Sequence, residues 1–103
     1  MNFNEYQQLA RRTSNKQSRS MAALGLTGEA GEVADMVKKE LFHGHQYPQD
    51  AYVDELGDVL WYISEMASVL DISLNDIAKY NIEKLKKRYP DGFSEERSIN
   101  REV

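Results

Sequence analysis

Two stretches decide how this chain reads: Gly28–Phe42, GEAGEVADMVKKELF, and Asp54–Leu70, DELGDVLWYISEMASVL. Both recur with the period of an amphipathic helix. Each carries an acid pair spaced i, i+3, Glu29 with Glu32 and Glu55 with Asp58. That spacing sets two side chains on neighbouring turns of one helix face, about 5–6 Å apart at Cβ. Bringing both pairs together crowds like charges into a partly dry volume, which is unfavourable unless cations neutralise them. Oxygen-only ligation of this kind is the chemistry of Mg²⁺, with Mn²⁺ as a possible substitute. The expectation is a helical, metal-dependent enzyme acting on phosphate esters or anhydrides. A lone E-x-x-E on a helix is more often a solvent-facing pair. Two such pairs on successive long helices, each among small or apolar neighbours, are harder to read that way.

The remaining chain is helical in period almost throughout. Phe3, Tyr6, Leu9 and Ala10 mark a short first helix, and the polar, basic run Arg11–Arg19 reads as a connector. A second helix is expected from about Ser20 to Phe42, with Ala23, Leu26, Ala30, Val33, Ala34, Val37 and Leu41 as its apolar face. Gly44 and Pro48 break the pattern, as a C-terminal cap and a first-turn residue respectively. A third helix follows over about Gln49–Leu70, its main face running from Tyr52 through Leu56, Val59, Leu60, Ile63, Met66 and Ala67 to Leu70. Ser73 opens a fourth, carried by Leu74, Ala78, Ile82, Leu85 and Tyr89 to the stop at Pro90-Asp91-Gly92. Residues 94–103 are charged and aperiodic, expected to be loose or used against a partner. The fold class expected is all-α, a four-helix bundle in a single domain over 1–103.

Gly25, Gly28 and Gly31 interrupt the second helix, together giving up about 2–3 kcal/mol of helix propensity. Gly25 and Gly28 share a side with Met21, Glu29, Glu32 and Met36, so this helix avoids bulk on two faces. Close helix packing and the approach of a metal cluster both account for that. On the third helix Trp61 points away from the apolar stripe, towards solvent in a monomer, and reads as a partner or ligand contact. On the fourth, Asn81, Lys84 and Arg88 form an i, i+3, i+7 row that either holds phosphate or is a solvated flank.

Composition narrows the classes. The chain has 103 residues, 41% of them hydrophobic, no cysteine and a net charge of −4. Disulfides, thiolate metal sites and cysteine nucleophiles are therefore excluded. A nucleic-acid polymer is not the expected ligand, because no basic face dominates. No run reaches membrane-spanning length and no leader pattern opens the chain, so the expected location is the cytoplasm. A helical chain this small buries only roughly 60–65% of its unfolded surface alone. Apolar surface on two faces of the second helix, with Trp61 and Val69 off the main stripe of the third, leads to the expectation of a homodimer or homotetramer.

The blocks GEAGEVADMVKKE, DELGDVLWYI and KYNIEKLKKRYPDGF, in this order, resemble the MazG-like nucleoside triphosphate pyrophosphohydrolases of the all-α NTP-pyrophosphatase superfamily. The likeness covers about residues 20–93. Glu29 and Glu32 match the last two acids of the family's E-E-x-x-E, and Glu55 and Asp58 match its E-x-x-D. Gly28 stands where the first acid belongs, which leaves the number of metals open. The stretch from Asn81 through Lys84, Leu85 and Arg88 to Tyr89 and Pro90 resembles the family's N-x-x-K-L-x-x-R-Y-P. The resemblance implies Mg²⁺-dependent hydrolysis of a (deoxy)nucleoside triphosphate to monophosphate and pyrophosphate. It implies metal ligation by Glu29, Glu32, Glu55 and Asp58, with Glu29 or Glu32 also orienting or deprotonating water. Lys84 and Arg88 then neutralise pyrophosphate, Asn81 hydrogen-bonds phosphate or sugar, and Tyr62, Trp61 or Phe93 stacks on the base. The alternative is a non-catalytic nucleotide-sensing or interaction module that retains the acids. A di-iron carboxylate bundle is disfavoured, since neither His43 nor His45 sits on a helix beside an acid.

Overall fold

The computed structural model describes residues 1–16 and 18–101; Gln17 in the connector and Glu102 and Val103 of the tail lie outside the described residues. Five helices follow in chain order: α1 (Phe3–Arg11), α2 (Arg19–Phe42), α3 (Gln49–Val69), α4 (Leu74–Arg88) and α5 (Glu95–Ile99). The first four match the expected helices to within a residue or two at each end. The short α5 falls in the stretch whose sequence has no period. Beyond an isolated bridge between Pro90 and Gly92, no β structure forms among the described residues.

Local chemistry sets each boundary. Asn2 and Glu5 form a reciprocal capping box at α1, with the Glu5 N–H donating to Asn2 Oδ1 at 2.8 Å. Ser18 and Ser73 accept from the first-turn N–H groups of Met21 and Asp76, starting α2 and α4. After α2, Gly44 takes a left-handed φ of 72°, and the His43 and His45 N–H groups both return to the Lys39 carbonyl. Pro48 is the N-cap of α3 rather than its first helical residue.

The helices do not close into a self-contained bundle. α2 packs along α3, α1 lies on α3, and α4 rests on α1. Polar groups of α1 clamp the turn into α4. Gln7 Nε2 donates to Ser68 Oγ and to the Ile72 carbonyl, while its Oε1 accepts the Leu74 N–H at 2.7 Å. Asn4 Oδ1 accepts from Ser73 Oγ and from the Asn75 N–H. Among the described residues, the buried apolar set is Ala10, Ala22, Met36, Ala67 and Leu74. The chain exposes 7946 Å², where a compact monomer of its mass exposes about 5,900 Å². Its radius of gyration is 16.6 Å, against about 13 Å for a globule of this length.

Two expectations about faces are corrected. On α2 the side turned to α3 is the one bearing Ala22, Gly25, Glu29 and Met36. Ala23, Ala30, Ala34, Val37 and Leu41, expected to be core, are exposed. The physical reason is Gly25: the Tyr62 ring occupies the space its Cβ would take, so α3 comes closest on the glycine side. Trp61 is half-buried rather than solvent-facing, because its indole N–H donates to Thr13 Oγ1 at 2.8 Å and its ring meets Tyr62 edge-on. Gly28 and Gly31 have no neighbouring atom within 4 Å of an added Cβ, so close packing within the chain explains Gly25 alone.

Gly25→Ala is expected to lower the melting temperature. Displacing Tyr62 costs about 1–3 kcal/mol, more than the roughly 1 kcal/mol of helix propensity recovered. Gly28→Ala, which meets nothing within 4 Å, is expected to raise it or leave it unchanged. Thermal unfolding of both variants, followed by circular dichroism, checks the sign at each position.

Candidate metal centre

The register of the α2–α3 hairpin is held at both ends. Near the loop, Glu40 accepts the Tyr52 hydroxyl through Oε1 and the Tyr47 N–H through Oε2. At the far end Tyr62 seats against Gly25. One turn from Gly25 towards the loop brings Glu29 level with Asp58, and the next brings Glu32 level with Glu55. The four expected acids therefore face one another across the interhelical groove. Carboxylate oxygens of Glu29, Glu32 and Glu55 lie within 4.8 Å of one another, and those of Asp54, Glu55 and Asp58 do the same. Glu55 is common to both groups.

Crowding marks the electrostatics. Burial, then the charge of Glu32, then that of Asp58 push the Glu29 carboxyl above its ordinary range. Glu55 rises to about 6, through a hydrogen bond with Glu32 first, then desolvation and the charges of Glu32, Asp58 and Glu29. Glu29 Oε2 and Glu55 Oε2 are buried with no hydrogen-bond partner. Orphaned, all-oxygen donors in a charge-crowded groove fit a hard divalent cation. Glu29, Glu32, Asp54, Glu55 and Asp58 are the residues able to hold one.

Reading by i, i+3 pairs missed Asp54; its signal was the i, i+4 step to Asp58 on the same helix. It also missed Tyr6, whose phenol is pushed up by burial first and by the charge of Asp58 second, bringing α1 to the edge of the acid group. A third missed residue is Glu65, two turns beyond Asp58 and only 2% exposed. It takes Arg11 Nη1 at 2.7 Å and the Ser14 hydroxyl. That pairing neutralises Glu65 and ties the α1–α2 connector to α3.

The other expected site residues lie apart from the acids. Tyr62 and Trp61 are engaged in packing as described. On α4, Asn81 and Lys84 are exposed and Arg88 is half-buried, with its Nε unpartnered. Lys84 and Arg88 line a cleft of about 790 Å³ between α4 and the tail. None of the five clustered acids lines it. Phe93 is 73% exposed beside Tyr89.

The MazG nucleotide pyrophosphohydrolase domain matches residues 17–93. The chain belongs to the MazG family. Gene 37 protein of Mycobacterium phage L5 is 38% identical over 86 residues, 80% of this chain and 75% of the phage protein. No solved structure matches. The MazG domain so bounded contains all five clustered acids and the Asn81, Lys84 and Arg88 row. It excludes α1 and α5, the two elements that flank it on either side.

A raised carboxyl makes the folded state bind more protons than the unfolded state. The crowding penalty at Glu55 is thus absent below pH 4.5 and complete above about 6. In metal-free protein, Glu55→Gln is expected to raise the melting temperature relative to the parent, by an increment that grows from pH 4.5 to past 6. Saturating Mg²⁺ is expected to stabilise the parent above pH 6 and Glu55→Gln far less. Thermal melts across that pH range, with and without the cation, read both effects.

Proposed function

We propose that this MazG chain is a Mg²⁺-dependent enzyme, with Mn²⁺ as substitute, that converts (deoxy)nucleoside triphosphates to monophosphates and pyrophosphate. One observation carries the reading: two carboxylate groups sharing Glu55, two of their oxygens buried without partners, inside the matched domain. A divalent cation bound there supplies charge neutralisation at the phosphate oxygens and lowers the pKa of a bound water. Glu29, Glu32, Glu55 and Asp58 would hold the cation, and Glu29 or Glu32 would accept the proton of the water that attacks the α-phosphorus in line. The bond from the α-phosphorus to the bridging oxygen breaks, and Lys84 and Arg88 take the charge of the departing pyrophosphate. Asn81 is suited to hydrogen-bond phosphate or sugar. Trp61 and Tyr62 enter this reading as packing residues rather than as the base platform, since Thr13 and Gly25 engage them.

The site is proposed to be complete only in a homodimer or homotetramer. Supporting this, the chain exposes about 2,000 Å² more than a compact monomer of its mass, an area of the size that obligate subunit contacts bury. Much of the exposed surface is apolar and lies on the hairpin, at Leu24, Val37, Leu41, Val53 and Leu56. The cleft that Lys84 and Arg88 line takes in none of the five clustered acids, and a neighbouring copy is proposed to bring the two together. The alternative is a nucleotide-sensing or interaction module without turnover, which Gly28 in place of an acid fits as well as it fits an enzyme.

Release of pyrophosphate from a mixture of nucleoside and deoxynucleoside triphosphates with Mg²⁺ separates the two readings. Glu29→Gln, Glu32→Gln, Glu55→Gln and Asp58→Asn are each expected to slow turnover by about 10²–10⁴. Full activity after any two of these changes overturns the site. Sedimentation equilibrium with activity followed in parallel tests the assembly, and a fully active 11.9 kDa species argues against it.

A further inference from the structure

The stretch after the matched domain folds back on α4. Ser94 Oγ accepts the Arg97 N–H at 3.0 Å and starts α5. Arg97 then turns onto the C-terminal end of α4: its Nε donates to the Arg88 carbonyl at 2.6 Å and its Nη2 reaches the Lys87 carbonyl at 3.5 Å. Those carbonyls belong to the last turn, where helical partners run out and the dipole is negative. A guanidinium has five N–H donors. Only two of them are used here, so Arg97 is held in place with donors to spare.

The cleft between α4 and the tail collects five cations, Lys84, Lys87, Arg88, Arg97 and Arg101, against Glu83 and Glu96. This is a local positive excess in a chain of net charge −4. Arg88 lines the cleft, and its Nε is buried without a hydrogen-bond partner. The cleft measures about 790 Å³, within the range of small-molecule sites. Several guanidinium forks beside ammonium groups match the dense, multidentate charge of an oligophosphate better than a single carboxylate.

From this we infer that the α4–α5 cleft binds the pyrophosphate portion of the substrate, with the tail residues Arg97 and Arg101 contacting phosphate beside Lys84 and Arg88. The inference rests on the reading of Lys84 and Arg88 as pyrophosphate ligands and adds the tail to that site. Arg97 acts twice, capping α4 and presenting its free N–H groups to the anion. Arg101 adds a further guanidinium to the cleft lining.

The test is calorimetric titration of the full chain with inorganic pyrophosphate, beside the KM for the triphosphate substrate. Arg97→Ala and Arg101→Ala are expected to weaken pyrophosphate binding about tenfold and threefold or more, respectively. Both are expected to raise KM in step and to leave nucleoside monophosphate binding unchanged. Arg97→Lys is expected to recover part of the affinity, since charge returns without the fork. Lys86→Ala removes the same charge from α4 outside the cleft and is expected to change neither quantity. No pyrophosphate binding by the parent, or affinities within twofold of it in both tail variants, overturns the inference. Pyrophosphate binding that the tail variants weaken, without triphosphate hydrolysis, sustains the cleft and removes the enzymatic reading. Hydrolysis with KM unmoved in both variants does the reverse.

Discussion

The antiparallel register between α2 and α3 is the constraint on which the remaining structure depends. Glu40 holds the loop end by accepting from the Tyr52 hydroxyl and the Tyr47 backbone, and the Tyr62 ring against Gly25 holds the other. Helical pitch does the rest, setting Glu29 and Glu32 level with Asp58 and Glu55. A slip of one residue at either end would rotate an acid about 100° out of the groove. The glycine that looks like a defect in helix propensity is thus the contact that aligns the acids.

Crowding the carboxylates works against folding, and the chain surrounds the groove with devices that hold it together. α1 brings Tyr6 towards Asp58 and clamps the α3–α4 turn through Asn4 and Gln7. Arg11 neutralises the buried Glu65, and the Ser14 hydroxyl donates to the same oxygen. Of the acids on α3, Glu65 is therefore satisfied by the protein itself, while Glu55 keeps an oxygen without a partner. That difference separates a structural ion pair from a group suited to an external cation.

The outer surfaces are organised differently. The hairpin turns an apolar stripe outward, and α4 stands on α1 with Ile82 and Leu85 exposed. A single chain thus has a small core and apolar surface that its own helices do not cover. At the end of α4 the tail follows electrostatic rather than apolar logic, with Arg97 drawn onto the terminal carbonyls.

Sequence alone determined the helical class, the positions of four helices, the two acid pairs and the family, because these depend on period, caps and local spacing. Ser73 and Gly44 cap where their chemistry predicts. Only the tertiary structure decided which face of α2 meets α3, since Ala23 and Ala22 differ in nothing but their angle to Tyr62. Asp54 was legible as the i, i+4 neighbour of Asp58 on the same helix, whereas Glu65 was set apart from the acid group only by Arg11, which arrives from a distant helix. The tail was illegible for the same reason. Five residues cannot show a period, and Arg97 gains its place from carbonyls that α4 supplies after it has folded.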